Sequence, residues 1–74
     1  MKNYSIIFRT GEYEIYAGRI VGSEYEIKYY DRGTVLIIKR NSEIVYKVNC
    51  YDIEVIKTIE GGIRVYIYTT AFNY

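Results

Sequence analysis

The sequence predicts an all-β fold, a small antiparallel barrel or closed sandwich of six to seven strands, of SH3-like or Sm-like size. Three observations carry this. β-branched and aromatic residues alternate with charged ones over run after run of the chain. No window places apolar residues at the three-and-four spacing of an amphipathic helix. Turn-forming residues recur at short, regular intervals, as an all-β domain requires.

The first strand is read over residues 4–9 and ends at Thr10-Gly11. The second covers 12–21, where Glu12 and Glu14 alternate with Tyr13, Ile15 and Ala17. The third covers 24–30, with Tyr25, Ile27 and Tyr29 alternating with Glu24, Glu26 and Lys28. Strands four to seven follow at 34–40, 43–49, 53–60 and 63–71.

The turns between them have recognisable chemistry. Gly22-Ser23 puts glycine first, as a type II′ hairpin turn wants, and Gly61-Gly62 suits type I′ or II′. Asp31-Arg32-Gly33 reads as a three-residue loop with glycine in the left-handed position, and Asn41-Ser42 as a polar turn. If Gly22-Ser23 closes a hairpin, Val21 faces Glu24, Ile20 faces Tyr25 and Arg19 faces Glu26. Ile15 and Ala17 then fall out of phase with Ile20, and one extra residue at Gly18 corrects it. A bulge or sharp bend is therefore expected at Gly18. The motif EYEI occurs at 12–15 and again at 24–27, which two strands of the same alternation explain without duplication.

With 74 residues the chain reads as one β domain near the size where a single core becomes marginal. Such domains usually need a staple or a partner. A single cysteine allows no internal disulfide, and the absence of histidine removes the common zinc ligand sets. No cofactor and no metal are expected. That leaves a well-packed core or a homo-oligomer, and a composition that is half hydrophobic with eleven tyrosines suits both. The core is expected from Ile6, Phe8, Ile15, Ile27, Leu36, Ile38, Ile44, Val48, Ile53, Val55, Val65 and Ile67.

Charges nearly cancel, at +1, and no block of like charge exceeds Lys39-Arg40. This argues against a protein built mainly to grip phosphates, which would show a clustered basic footprint. The longest dense apolar run is VLII at 35–38, far below a membrane span, and the N-terminal run is too short for a signal peptide. A cytoplasmic location is expected, with no membrane partner and a reduced Cys50. Richness in Ile, Lys, Tyr, Asn and Glu fits an AT-rich coding sequence, as in a low-GC bacterium or one of its phages.

Catalysis is not expected. Without histidine the usual triads are closed. Glu12, Glu14, Glu24 and Glu26 would crowd on the second hairpin, but outward glutamates on alternating strands are ordinarily solubilising. Cys50 follows Ile44, Tyr46 and Val48 on the inward phase and reads as a small buried hydrophobe.

The stretch RVYIYTT, 64–70, stands apart. Val65 and Ile67 point one way, and Arg64, Tyr66 and Tyr68 the other. Across a Gly61-Gly62 turn, Val65 would pair with Thr58, Ile67 with Ile56, Tyr66 with Lys57 and Tyr68 with Val55, so that neither face is plainly polar. Tyrosine and arginine are enriched at protein interfaces. Arg64, Tyr66 and Tyr68, with Phe72 and Tyr74 of the tail, are thus the expected protein interface. The expected function is a non-catalytic binding module that self-associates or meets a foreign protein, such as an accessory or inhibitory protein of a phage or mobile element. The first alternative is RNA or single-strand binding through Lys39, Arg40, Lys47 and Lys57, with Arg64, near aromatics. The second is an oligomer that sequesters a small ligand in a cleft.

The run VLIIKRNSEIVYKVNCYDIEVI, 35–56, resembles the second half of an Sm-like barrel, particularly of the Hfq type, where a bent strand pair carries a Tyr-Lys run close to Tyr46-Lys47. The resemblance implies ring assembly and RNA bound at strand-edge pockets. The chain has Val48 where that family has histidine after Tyr-Lys, lacks its N-terminal helix and adds a C-terminal hairpin.

Overall fold

The computed structural model describes residues 1–69. Among these residues seven strands form: β1 (Lys2–Thr10), β2 (Tyr13–Gly22), β3 (Glu24–Tyr30), β4 (Gly33–Arg40), β5 (Glu43–Cys50), β6 (Asp52–Lys57) and β7 (Ile63–Tyr68). They make a four-stranded sheet in the order β2-β1-β7-β6 and a three-stranded sheet in the order β3-β4-β5. The all-β expectation holds. Its antiparallel qualifier needs one correction, because β1 and β7 run parallel, from Tyr4 opposite Ile63 to Arg9 opposite Tyr68. No closed barrel is found among the described residues: no ladder joins β2 to β3 or β5 to β6. Residues 35–56, which carry the Sm-like resemblance, are divided, with β4 and β5 in one sheet and β6 in the other.

The hairpin expected across Gly22-Ser23 does not form. Ile20 lies opposite Tyr4 and Val21 opposite Asn3, while Glu24 lies opposite Lys39 and Tyr25 opposite Ile38. The chain instead crosses from one sheet to the other at Gly22, which is buried. A Cβ there would stand 2.6 Å from Ile38 Cγ2 and 3.0 Å from the Lys39 carbonyl oxygen. Glycine is required here for space, not for a positive φ. Ser23 anchors the crossing, its N–H donating to the Lys39 oxygen at 2.8 Å and its hydroxyl to the same atom at 3.2 Å.

The bulge lies where the phase argument put it. Ile6 pairs with Gly18 and Ile7 with Tyr16, so Ala17 is the extra residue and Gly18 has φ +119°. Its partner strand is β1 and not β3. A second bulge, between β4 and β5, sets Ile38 opposite Tyr46 but Lys39 opposite Ile44. It turns Ile44 outward, 54% exposed, and lets Val45 pack on the core in its place. Asn41 and Ser42 both have positive φ, 53° and 70°, between the paired Arg40 and Glu43; this is the two-residue I′ pattern. Gly33 has φ +147° and pairs with Tyr30, so the turn before it contains Asp31 and Arg32.

The last hairpin is three residues out of the expected register. Val65 faces Val55, Ile67 faces Ile53 and Tyr66 faces Glu54. The loop is longer because Thr58 closes it: its N–H donates to the Gly62 oxygen at 2.8 Å, its Oγ1 accepts from the Gly62 N–H at 2.9 Å, and Gly61 takes φ +87°. This register puts Ile53 and Val55 on the same face as Val65 and Ile67.

The two sheets enclose one core. Tyr4, Ile6, Leu36, Ile38, Ile53, Ile63, Val65 and Ile67 are buried, with Phe8, Ile20, Ile27, Val45, Tyr46, Val48, Cys50 and Val55 packed against them. Each fully buried aliphatic contributes roughly 1.5–3 kcal/mol. Besides Ile44, the other expected core residue found outside is Ile15, 44% exposed; it opposes Phe8 on the inner face, near the outer end of edge strand β2.

Candidate functional site

The outer face of the four-stranded sheet carries the tyrosine side of β7, and its register sets three rows across all four strands. The middle row runs Tyr16, Ile7, Tyr66, Glu54. One neighbouring row runs Glu14, Arg9, Tyr68, Asp52, and the other Arg19, Ser5, Arg64, Ile56. The middle row is apolar or aromatic over three strands and ends on Glu54, and the rows on either side carry charges.

The structure places the expected residues of this face unequally. Arg64 is exposed and Tyr68 half-buried, while Tyr66 is only 7% exposed. Phe72 and Tyr74 lie outside the described residues. Tyr66 is covered by Arg9, whose guanidinium carbon lies 4.0 Å from the ring centroid and 5.7 Å from that of Tyr68. This is cation–π geometry, with arginine lying across two aromatic faces.

Arg9 also joins the four strands. Its Nε donates to Glu14 Oε2 at 2.9 Å, and its Nη2 makes a closer ion pair with the same oxygen. Nη1 donates to the Tyr68 hydroxyl at 3.0 Å, and that hydroxyl donates to Glu54 Oε1, also at 3.0 Å. Nη1 lies 3.9 Å from the same carboxylate oxygen. These bonds, chiefly those from Glu14 and then Tyr68, hold the Arg9 guanidinium above its already high pKa. Chemically the face is a preorganised set of ring faces, a guanidinium and two carboxylates. Tyr16, at 63% exposed, and Ile56, at 41%, extend it with apolar surface.

Arg9 and Tyr16 were not among the expected site residues. The one available signal was alternation, which sets Arg9 on the opposite side of β1 from Ile6 and Phe8. Nothing local showed that β1 would lie beside β7.

The basic residues of the alternative reading are not gathered on one surface. Lys39, Arg40 and Lys47 belong to the three-stranded sheet, and Lys57 and Arg64 to the other. Lys39 is paired with Glu26, Nζ to Oε1 at 2.7 Å. That bond pulls the Glu26 carboxyl below its usual range and raises the Lys39 ammonium. The expected Arg19–Glu26 pair is replaced by this one.

The four glutamates are likewise separated: Glu12 stands in a turn, Glu14 binds Arg9, and Glu24 and Glu26 lie on β3. Among the described residues no group of three or more acidic or cysteine side chains is placed to hold a metal ion. Cys50 is half-buried, with its thiol 3.4 Å from the Thr34 carbonyl oxygen and its pKa pushed up by burial and then by Asp52. A cleft of about 220 Å³ beside Tyr30, Arg32, Asn49 and Cys50 is smaller than the ~300–1,000 Å³ of ordinary small-molecule sites. Among the described residues no helix is long and apolar enough to cross a membrane. Comparison of the chain with protein-family models, curated proteins and solved structures found no match.

Proposed function

We propose that the chain is a small two-layer β sandwich acting as a non-catalytic binding module, and that it meets a protein partner through the outer face of its four-stranded sheet. The observation that carries this reading is the row Tyr16, Ile7, Tyr66, with Arg9 and Arg64 beside it. An apolar middle with a charged rim is the anatomy of a protein interface, and tyrosine and arginine are the residues that dominate interface energetics. Tyr66 and Tyr68 are already fixed by Arg9, so little side-chain entropy remains to be lost on binding. The scattered basic residues give no comparable support to nucleic-acid binding.

The test is site-specific photo-crosslinking in extract of the source cells. A photoreactive side chain replaces Tyr16 or Arg64 on this face, or Lys47 on the other sheet. Protein adducts at positions 16 and 64, absent at 47 and lost with the added variant Ile56→Asp, support the reading. Equal adducts at all three positions, or none at 16 and 64, sink it. Oligonucleotide binding at low salt that disappears at physiological salt would support the nucleic-acid alternative instead.

A further inference from the structure

Each sheet has two edges, and edge strands need a device against indiscriminate pairing. β2 carries the bulge at Ala17-Gly18 and β5 the bulge at Val45. β6 and β3 are regular. On the β5–β6 side the inner-face residues Tyr46, Val48, Cys50, Ile53 and Val55 are all buried or half-buried. The β2–β3 side differs. There Tyr13 is 64%, Tyr25 37% and Tyr29 70% exposed, although alternation points each of them inward. The inner face is thus less covered on this side, where Ile27 packs on the core and Tyr25 meets the Tyr4 ring edge-on at 6.0 Å while the outer parts of Tyr13, Tyr25 and Tyr29 stay in solvent.

Two copies that join edges about a two-fold axis pair antiparallel, with one residue opposite itself and its neighbours paired symmetrically. One register, centred on Ile27, pairs β3 along all seven of its residues. There Glu26 faces Lys28 of the second copy, Lys28 faces its Glu26, Tyr25 faces its Tyr29, and Glu24 faces its Tyr30. Registers centred on Tyr25, Glu26 or Lys28 set like charges opposite each other. β6 has no such solution, because Asp52 and Glu54 each lie an odd number of residues from Lys57 and a two-fold pairing joins only positions an even number apart. The charges of β3 are also available: Lys28 has no ion-pair partner among the described residues, and Glu26 uses Oε1 for Lys39, leaving Oε2 for a second cation.

We infer that β3 is a self-association edge, where a second copy of this chain pairs antiparallel about Ile27. The product is a continuous six-stranded sheet, β5-β4-β3 followed by β3-β4-β5 of the copy. Cross-strand Tyr25–Tyr29 pairs then cover the tyrosine rings left in solvent on this side, and two Glu26–Lys28 pairs on the outer face fix the register. This edge is separate from the tyrosine face of β7, so the dimer leaves that face open to a foreign partner, and either proposal stands if the other fails.

The test is the solution mass of the full chain by sedimentation equilibrium, with charge variants. Wild type is expected to be dimeric at micromolar concentration. Lys28→Glu opposes Glu26 twice and is expected to weaken the dimer at least about tenfold, as is Glu26→Lys. An equimolar mixture of the two variants regains both opposite-charge pairs and should be dimeric. A wild type that stays monomeric to about 200 µM, well above the affinity of a stable dimer, overturns the inference. So does an oligomer that Lys28→Glu, shown to be folded by circular dichroism, leaves intact. Should Glu26→Lys fail to fold for want of its Lys39 bond, Lys28→Glu alone still decides.

Discussion

Gly22→Ala is expected to destabilise the protein by about 2 kcal/mol. The added methyl would stand 2.6 Å from Ile38 Cγ2, about 0.8 Å inside the 3.4 Å at which ordinary contact begins. Neither neighbour can give way cheaply. Ile38 is fully buried, so it moves only by displacing other core side chains. The Lys39 carbonyl, 3.0 Å from the methyl, is held by both the N–H and the hydroxyl of Ser23. For a chain of this length 1 kcal/mol corresponds to about 4–8 °C, so the melting temperature should fall by about 8–16 °C. Urea unfolding followed by far-UV circular dichroism measures the change directly. Gly11→Ala is the control, since a Cβ there meets nothing within 4 Å and the φ is not in the left-handed region; it should stay within about 0.5 kcal/mol of wild type. If the two variants prove equally stable, the chain does not cross between sheets at Gly22 in the way described, and the separation of β2 from β3 falls with it.

Three further outcomes are expected. Tyr4 is fully buried, its hydroxyl has no hydrogen-bond partner among the described residues, and desolvation raises its pKa; Tyr4→Phe should therefore gain about 1 kcal/mol in a thermal melt, and a loss of that size would show the hydroxyl to be bonded after all. Ser42 occupies the left-handed region at φ 70°, so Ser42→Gly should add about 0.5–1 kcal/mol, and no gain in urea would argue against the I′ turn. The Glu26–Lys39 bond gives a pH dependence of known sign. Glu26 is held below its ordinary 4.5 and contributes stability above that pH, lost as pH falls through its folded value; Lys39 is held above 10.5 and contributes below that pH, lost as pH rises through its folded value. In stability measured from pH 7 down to 2, Glu26→Gln should remove part of the acid loss, and an unchanged slope would refute this.

What the sequence disclosed was whatever depends on neighbours along the chain. Alternation alone separates strand from helix, and the phase of Tyr13, Ile15 and Ala17 against Ile20 is enough to demand an extra residue near Gly18. Pairing partners are a different kind of information. Gly22 reads as a hairpin glycine because a positive φ is the commonest reason for glycine beside serine, whereas here the absent side chain makes room for Ile38. Gly61-Gly62 reads as a two-residue turn, but the Thr58 side chain folds back on Gly62 and lengthens the loop, and with it the register slips by three. Ile44 left the core for a similar reason: one bulged residue reverses every side chain beyond it.

The tyrosine face shows most plainly where local reading stops. That Arg64, Tyr66 and Tyr68 share the side of β7 opposite Val65 and Ile67 follows from period two alone. What covers them does not, because Arg9 comes from 59 residues away and reaches Tyr68 through the parallel β1–β7 pairing, the one such pairing among the described residues. In that pairing Arg9 stands opposite Tyr68 and Ile7 opposite Tyr66, so the guanidinium lies across both rings and Tyr66 is enclosed without joining the core. A single strand order thus turns three tyrosine-side residues into distinct parts: Tyr66 as a buried floor, Tyr68 as a relay between Arg9 and Glu54, and Arg64 as an exposed charge. Truncating Tyr66 and Tyr68 together therefore removes an internal contact as well as surface, and the proposed interface is better probed at Tyr16, Arg64 and Ile56, which lie on the same face but are exposed.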